Sequence, residues 1–328
     1  MDEQRDSRLK PFADSATAQD STDQRGFVMP SIIRYPGSKA KLAPMIRQYM
    51  PEWMMGSVFA PPDGAWFVEP FFGSGAAGLQ LLEHVHTSIS VWINDIDYSM
   101  YAVWHSVMHE TRKLIDNVRD FQPTKEAFYE LKAADGTSTG CIARDAFHKI
   151  ALHRMSVSGF GAMAGGPIGG KSQDGAYTVG CRWTPASIEQ AIYNAKETLS
   201  RFPEVRITNL HFRDVLAGST ASSLVYLDPP YYVKGGQLYA HNMSHEEHVE
   251  LASMLRETKA DWRLSYDDCA EVRDLYSWAE FQELEIRYTN AVTDKKRPKN
   301  RELLISPCPD DADGDYAGMG WIGKDGQP

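Results

Sequence analysis

Two consecutive prolines, Pro229 and Pro230, stand almost directly after the apolar run Leu224-Val225-Tyr226-Leu227, and they fix where a strand must stop. The run is rich in β-forming residues and has the length of a buried strand. Neither proline has an N–H to give a ladder, so a central strand cannot continue through them. The chain therefore leaves a sheet at this strand's carboxyl end. An open α/β sheet binds its ligands at that edge.

The turn that results, Asp228-Pro229-Pro230-Tyr231, suits chemistry on an exocyclic amino group. The amino nitrogen of adenine or cytosine is a poor nucleophile because its lone pair is delocalised into the ring. A catalyst frees that pair by accepting hydrogen bonds from both N–H groups, and a carboxylate plus a rigidly presented carbonyl do this. Asp228 supplies the first acceptor. The carbonyl of Pro229, held by two fixed φ angles, supplies the second. Pro230 completes the rigid turn, and Tyr231 is placed to stack on a base drawn out of its helix. Asp-Pro pairs also occur in ordinary turns, so the tetrapeptide needs support from elsewhere in the chain.

A second site lies upstream, where Trp66-Phe67-Val68-Glu69 reads as a short strand running into Pro70-Phe71-Phe72-Gly73-Ser74-Gly75 and a following helix. Glycines there let the backbone approach a cofactor closely, and the helix start adds a favourable dipole. A strand over 89–94 then ends at Asn94-Asp95-Ile96-Asp97, and Asp95 is about twenty residues on, where an acid accepts from ribose hydroxyls. Gly73, Gly75 and Gly78 also satisfy GxGxxG, which a nicotinamide or flavin dinucleotide site would share. The Glu69-Pro70 pair, the two phenylalanines before the first glycine and the later amino-group turn favour S-adenosyl-L-methionine as cofactor.

A third site precedes both, at Arg34-Tyr35-Pro36-Gly37-Ser38-Lys39, ahead of an amphipathic helix predicted over 40–49. A lysine at a helix start opposes the macrodipole, so Lys39 points to a nearby anion such as the donor's carboxylate. In isolation Lys39 reads as a solvated lysine and Tyr35 as a packing aromatic.

The order Arg-Tyr-Pro-Gly-Ser-Lys, Glu-Pro-Phe-Phe-Gly-Ser-Gly, Asn-Asp-Ile-Asp and Asp-Pro-Pro-Tyr resembles the Dam-like, alpha-group DNA adenine-N6 methyltransferases, including phage and prophage versions, over about 32–307. The resemblance implies that Tyr35, Lys39, Asp95 and Asp228 contact the methyl donor, with Phe71, Gly73 and Gly75 forming its loop. A looser match at 207–214 adds Asp214 near the donor's adenine. It implies double-stranded DNA as partner and a flipped adenine as acceptor. Cytosine-N4, RNA or a protein amide are the alternative acceptors, because the same turn would serve them. The recognition hairpin of well-known Dam-like enzymes has no clear counterpart, so no target sequence carries over.

The formal charge of −10 argues against a general phosphate-binding surface. The tails hold much of it, with four basic and six acidic residues in 1–30, and one basic and five acidic in 309–328. A local basic patch remains at Lys295, Lys296, Arg297 and Lys299, in the loop of a hairpin expected between strands over 283–288 and 302–306. It reads either as a phosphate contact or as a solvated loop.

The fold expected is α/β: a mostly parallel seven-stranded methyltransferase sheet with helices on both faces and an inserted target-recognition lobe. Strands are predicted over 66–69, 89–94, 206–209, 223–228, 262–265, 283–288 and 302–306, with helices over 99–117 and 244–258. The divisions expected are a disordered tail (1–30), a donor-binding part (31–121), the inserted lobe (122–202), a second catalytic part (203–307) and an acidic tail (308–328). The insertion carries a helix over 142–155, a glycine-rich loop over 158–171 and a helix over 185–201. Arg154, Lys171, Arg182 and Trp183 are its candidate DNA contacts; a connector with Trp183 in the core is the other reading. No apolar run is long enough to span a membrane and no signal peptide is evident, so a cytoplasmic, monomeric protein is expected. The four cysteines form no CxxC pair. The pairs His105/His109 and His245/His248 lack a third ligand and read as surface histidines, so no metal is expected.

Overall fold

The computed structural model describes residues 31–34, 39, 40, 42–55, 60–233, 242–286 and 300–308. The two tails and the basic patch at Lys295, Lys296, Arg297 and Lys299 lie outside the described residues, as does Tyr35.

Seven strands form one sheet: β1 (Trp66–Glu69), β2 (Ser90–Asn94), β3 (Val205–Thr208), β4 (Ser223–Leu227), β5 (Asp261–Asp267), β6 (Glu280–Ile286) and β7 (Asn300–Ser306). Their order is β3-β2-β1-β4-β5-β7-β6. The first five run parallel, and β7 enters antiparallel to both β5 and β6. Each expected strand has a counterpart, residues 287 and 288 of the expected 283–288 lying outside the described residues, and the antiparallel closing pair is β6–β7.

Every residue of β4 is buried, which explains why it reads as a continuous apolar run: helices cover both faces of its sheet. Successive residues feed opposite cores. Phe67, Val91, Ile93, Leu224 and Tyr226 join the core under the helices α2 (Gly78–Leu82), α3 (Tyr98–His109), α6 (Ile142–Met155) and α7 (Pro185–Ser200). Val68, Trp92, Val225 and Leu227 join the other, with α8 (Phe212–Ala217), α9 (His245–Glu257) and α10 (Ala270–Leu275).

Helix ends follow their side-chain chemistry. Asp97 caps α3 by accepting from the Ser99 N–H at 2.8 Å, and Ser244 with Glu247 forms a capping box on α9. The single helix expected over 99–117 is broken at Glu110, after which α4 spans Thr111–Asp120. Lys196 of α7 donates to the Met108 carbonyl at 3.2 Å and to Thr111 Oγ1 at 2.7 Å, capping the break from outside. The helix expected over 40–49 is one α turn, α1 (Ala43–Ile46), continued as a 3₁₀ turn.

The segment 122–202 packs more closely than an appended lobe would. Phe128 and Leu131 of α5 (Lys125–Ala133), with Ile150, Ile188 and Ile192 of α6 and α7, belong to the same core as β1 and β2. Trp183 lies in that core, edge-on to Phe121 at 5.1 Å, which settles its place against the base-contact reading. His248, read from sequence as a surface residue, is buried with its Nδ1 on the Tyr266 hydroxyl. Among the described residues no helix is long and apolar enough to cross a membrane.

Candidate active site

The chain passes from β1 to β2 and β3 on one side of the sheet and then returns to β4 and β5 on the other. Between β1 and β4 the connections therefore diverge, opening a crevice at the strands' carboxyl ends. A cavity of about 380 Å³ occupies it. Its walls are the ends of β1 (Glu69 to Ser74), β2 (Asp95 to Asp97) and β4 (Asp228 and Pro230), the 210–212 segment, Lys39, and Lys149 and His153 of α6.

The glycine loop is built by its neighbours. Asp95 Oδ2 accepts the Gly73 N–H at 2.8 Å, and Trp104 Nε1 donates to the Gly73 carbonyl at 2.8 Å. Gly73 and Gly75 both have positive φ, at 49° and 68°. Only Gly75 is also crowded: a Cβ there would sit 2.6 Å from the Trp104 ring. Gly73 faces the cavity, so the two expected cofactor glycines divide into a lining residue and a packing residue. Asn94, buried behind them, donates to the carbonyls of Pro70 and Leu210 at 2.9 and 3.0 Å and so ties three strand ends together.

Acidic groups outnumber basic ones on the cavity wall. The Glu69 carboxyl is fully buried at the cavity wall, its Oε2 has no hydrogen-bond partner among the described residues, and burial followed by the charges of Asp228 and Asp95 raises its pKa well above the usual range. Burial and the adjacent Asp97 push Asp95 up to about 7. Lys149, a residue that no motif marks, pairs with Asp97 at 2.6 Å. Asp95, Asp97 and Asp228 face one cavity beside apolar surface from Phe71, Phe212 and Ile96, which fits a ligand that carries positive charge.

Lys39 departs from its expected role. Its carbonyl receives the Leu42 and Ala43 N–H groups at the start of α1, while Nζ turns into the protein, 2.9 Å from Asp228 Oδ1 and 3.2 Å from Glu302 Oε2. The anion that a lysine at this position called for is thus the protein's own pair of carboxylates. Burial raises Asp228 and Glu302, and Lys39 opposes it at both. Tyr231 also departs from expectation: its ring is buried, its hydroxyl receives a hydrogen bond from Lys39 and donates to Glu302 Oε1 at 2.8 Å, and Pro230, not Tyr231, borders the cavity beside Asp228. Pro229 is buried between them. Glu302 escaped the sequence reading because it lies far from every motif, inside a strand.

Asp214 is exposed on α8 and outside the cavity, with Leu210, His211 and Phe212 in the place expected for it. Arg154 is a second correction. Its guanidinium donates to the carbonyls of Ser31, Ile32 (2.9 Å) and Arg182 (3.5 Å), and burial with the nearby Arg34 lowers it to about 10. These bonds bind α6 to the segment that leads into Lys39. Lys171 and Arg182 remain exposed. The glycine-rich loop is held, not free: Lys132 donates to the Ala164 carbonyl at 2.7 Å, and a Cβ on Gly159 (φ 77°) would meet the Arg34 carbonyl at 2.7 Å. Phe160, Ala162 and Met163 line the main cavity, while Ser158 and Gly169 line a second concavity of about 470 Å³ with Arg34, Tyr177 and Arg182.

A parallel sheet with an antiparallel penultimate strand, a glycine loop after β1, an acid after β2 and Asp-Pro-Pro-Tyr after β4 defines a methyltransferase fold built for amino groups. The family model for D12 class N6 adenine-specific DNA methyltransferases matches residues 35–291, and the chain belongs to that family. Its reaction is methylation of adenine N6 in DNA, and enzymes of this class draw the methyl group from S-adenosylmethionine. Among curated proteins no match is found.

Proposed function

We propose that the chain binds S-adenosylmethionine in the 380 Å³ cavity and methylates an adenine flipped from double-stranded DNA onto the Asp228 turn. The observation that carries this reading is Asp228, fixed through Oδ1 on Lys39 while facing the same acid-lined cavity as Gly73 and Asp95. Phe71 and Gly73 form the donor's wall and Asp95 accepts from its ribose. When bound, the donor supplies an electrophilic methyl on a cationic sulfur.

The protein's contribution is orientation and electrostatics. Asp228 and the Pro229 carbonyl accept the two N6 hydrogens, which returns the lone pair to nitrogen as the new N–C bond forms. Asp228 then adjoins the proton that N6 must lose. Stacking on Tyr231 requires the incoming base to displace what covers its ring. Lys171 and Arg182, both exposed, meet phosphates in this reading, with Lys295, Lys296, Arg297 and Lys299 as a second contact. The enzyme acts as a monomer in this reading.

The test is to incubate the protein and an Asp228→Ala variant with unmethylated DNA and labelled S-adenosylmethionine, digest to nucleosides and identify the labelled one by mass. Labelled N6-methyladenine that disappears in the variant is expected. Full activity in the variant, or label in cytosine, would overturn the assignment.

A further inference from the structure

Glu302 reaches the active site from β7, two strands away from the Asp228 turn. It is buried, and both of its oxygens point at catalytic partners: Oε1 accepts from the Tyr231 hydroxyl at 2.8 Å and Oε2 lies 3.2 Å from Lys39 Nζ. The same Nζ is 2.9 Å from Asp228 Oδ1 and sits 4.3 Å from the centre of the Tyr231 ring. One ammonium therefore serves two carboxylates and a phenol.

We propose that Glu302 is a positioning residue of the methyl transfer, which holds Lys39 and the Tyr231 hydroxyl so that Asp228 is gripped by one oxygen and keeps the other for the substrate amino group. This rests on the reading of Asp228 as the acceptor. A purely structural role accounts poorly for the arrangement, because a buried ionic cluster stabilises a fold less than apolar residues of the same size would. Asp267, directly across the β5–β7 pair, adds another acid beside Glu302.

Sharing has a consequence. If Lys39 served Asp228 alone, the carboxylate would be fully compensated and a weaker acceptor; Glu302 takes part of that compensation away. Asp228 in turn raises Glu302 and three other buried groups, Glu69 from β1, Tyr226 from β4 and Tyr266 from β5. Lys39 is thus the single cation among the described groups acting on this cluster. The two oxygens on Lys39 lie within about 6 Å of each other, so neutralising Glu302 should lower the Asp228 pKa by about one unit or more.

The experiment compares wild type, Glu302→Gln and Glu302→Asp. For each, the Asp228 carboxyl carbon is titrated by NMR in the donor-free protein, and kcat and KM are measured from pH 5 to 9 with circular dichroism confirming the fold. In Glu302→Gln the Asp228 titration and the acid limb of kcat should move down by about one pH unit. The plateau kcat should fall about tenfold or more, with donor KM within about threefold of wild type. Glu302→Asp should restore the limb in part. Asp228 titrations that superimpose in wild type and Glu302→Gln, or a loss seen only in thermal stability, would overturn the proposal. Failure of the wild type to form N6-methyladenine would instead refute the acceptor assignment, and the NMR titration decides the role of Glu302 independently of it.

Discussion

Replacing Lys39 by Met removes the cation that Asp228 and Glu302 share and keeps most of its aliphatic stem. The Lys39 side chain is 2 % exposed, Glu302 11 % and Asp228 21 %, so the pair is buried on the Glu302 side and open to the cavity at Asp228. Breaking a buried pair by removing one partner costs about 3–5 kcal/mol. The open side at Asp228 places the expectation at the lower end, about 3 kcal/mol at pH 8. Lys39 itself is held charged, its pKa raised by Asp228 and Glu302 against the opposing effect of burial, so across pH 5–8 it does not titrate in either state. The pH dependence comes from the acids. Burial raises both carboxyls in the folded protein, and without Lys39 they rise further. An acid with a raised folded pKa favours the fold at low pH and disfavours it as pH climbs from the unfolded value through the folded one. The deficit of Lys39→Met should therefore be largest at pH 8 and shrink towards pH 5. Urea unfolding of wild type and variant at both values measures it, and thermal unfolding at pH 8 should show a Tm loss of roughly 4 °C. Adding Glu302→Gln to the variant should recover part of the loss, since one buried acid is then neutral. An equal deficit at both pH values, or one below about 1 kcal/mol, would refute the reasoning.

Further outcomes follow for the glycine loop, for Asp95 and for the two arginines. Gly75→Ala should cost about 2–4 kcal/mol, from its positive φ and the Trp104 ring 2.6 Å from the new Cβ. Gly73→Ala, with open space around its Cβ, should cost about 1 kcal/mol by denaturant titration while still weakening the donor. Donor affinity by calorimetry should rise from pH 6 to pH 8 as Asp95, held up to about 7 by burial, ionises. Asp95→Asn should bind about tenfold more weakly and lose most of that pH dependence. Arg154→Ala should lower stability by about 2–4 kcal/mol through the carbonyls it leaves unpaired. Arg182→Ala should instead weaken DNA binding across sequences and reduce the salt slope by about one, measured by fluorescence anisotropy.

What the sequence by itself determined is local or periodic. The buried run of β4 and the two prolines that end it, the glycine loop after β1 and the acid after β2 are each encoded within a few consecutive residues, and their order along the chain is enough to place them at one sheet edge. What only the tertiary structure decided concerns residues brought together from afar. Lys39 and Arg154 both read as cations seeking an anion, and a sequence cannot show that Glu302 waits for one and that main-chain carbonyls satisfy the other. Asp214 and Phe212 share one helix turn, and only its rotation against β3 decides that Phe212 lines the cavity while Asp214 faces out. The Tyr231 ring likewise turned inward because its hydroxyl found Lys39 and Glu302. An unpaired buried charge or hydroxyl is costly, and the partner that relieves it is chosen by packing in three dimensions, for which sequence spacing carries no signal.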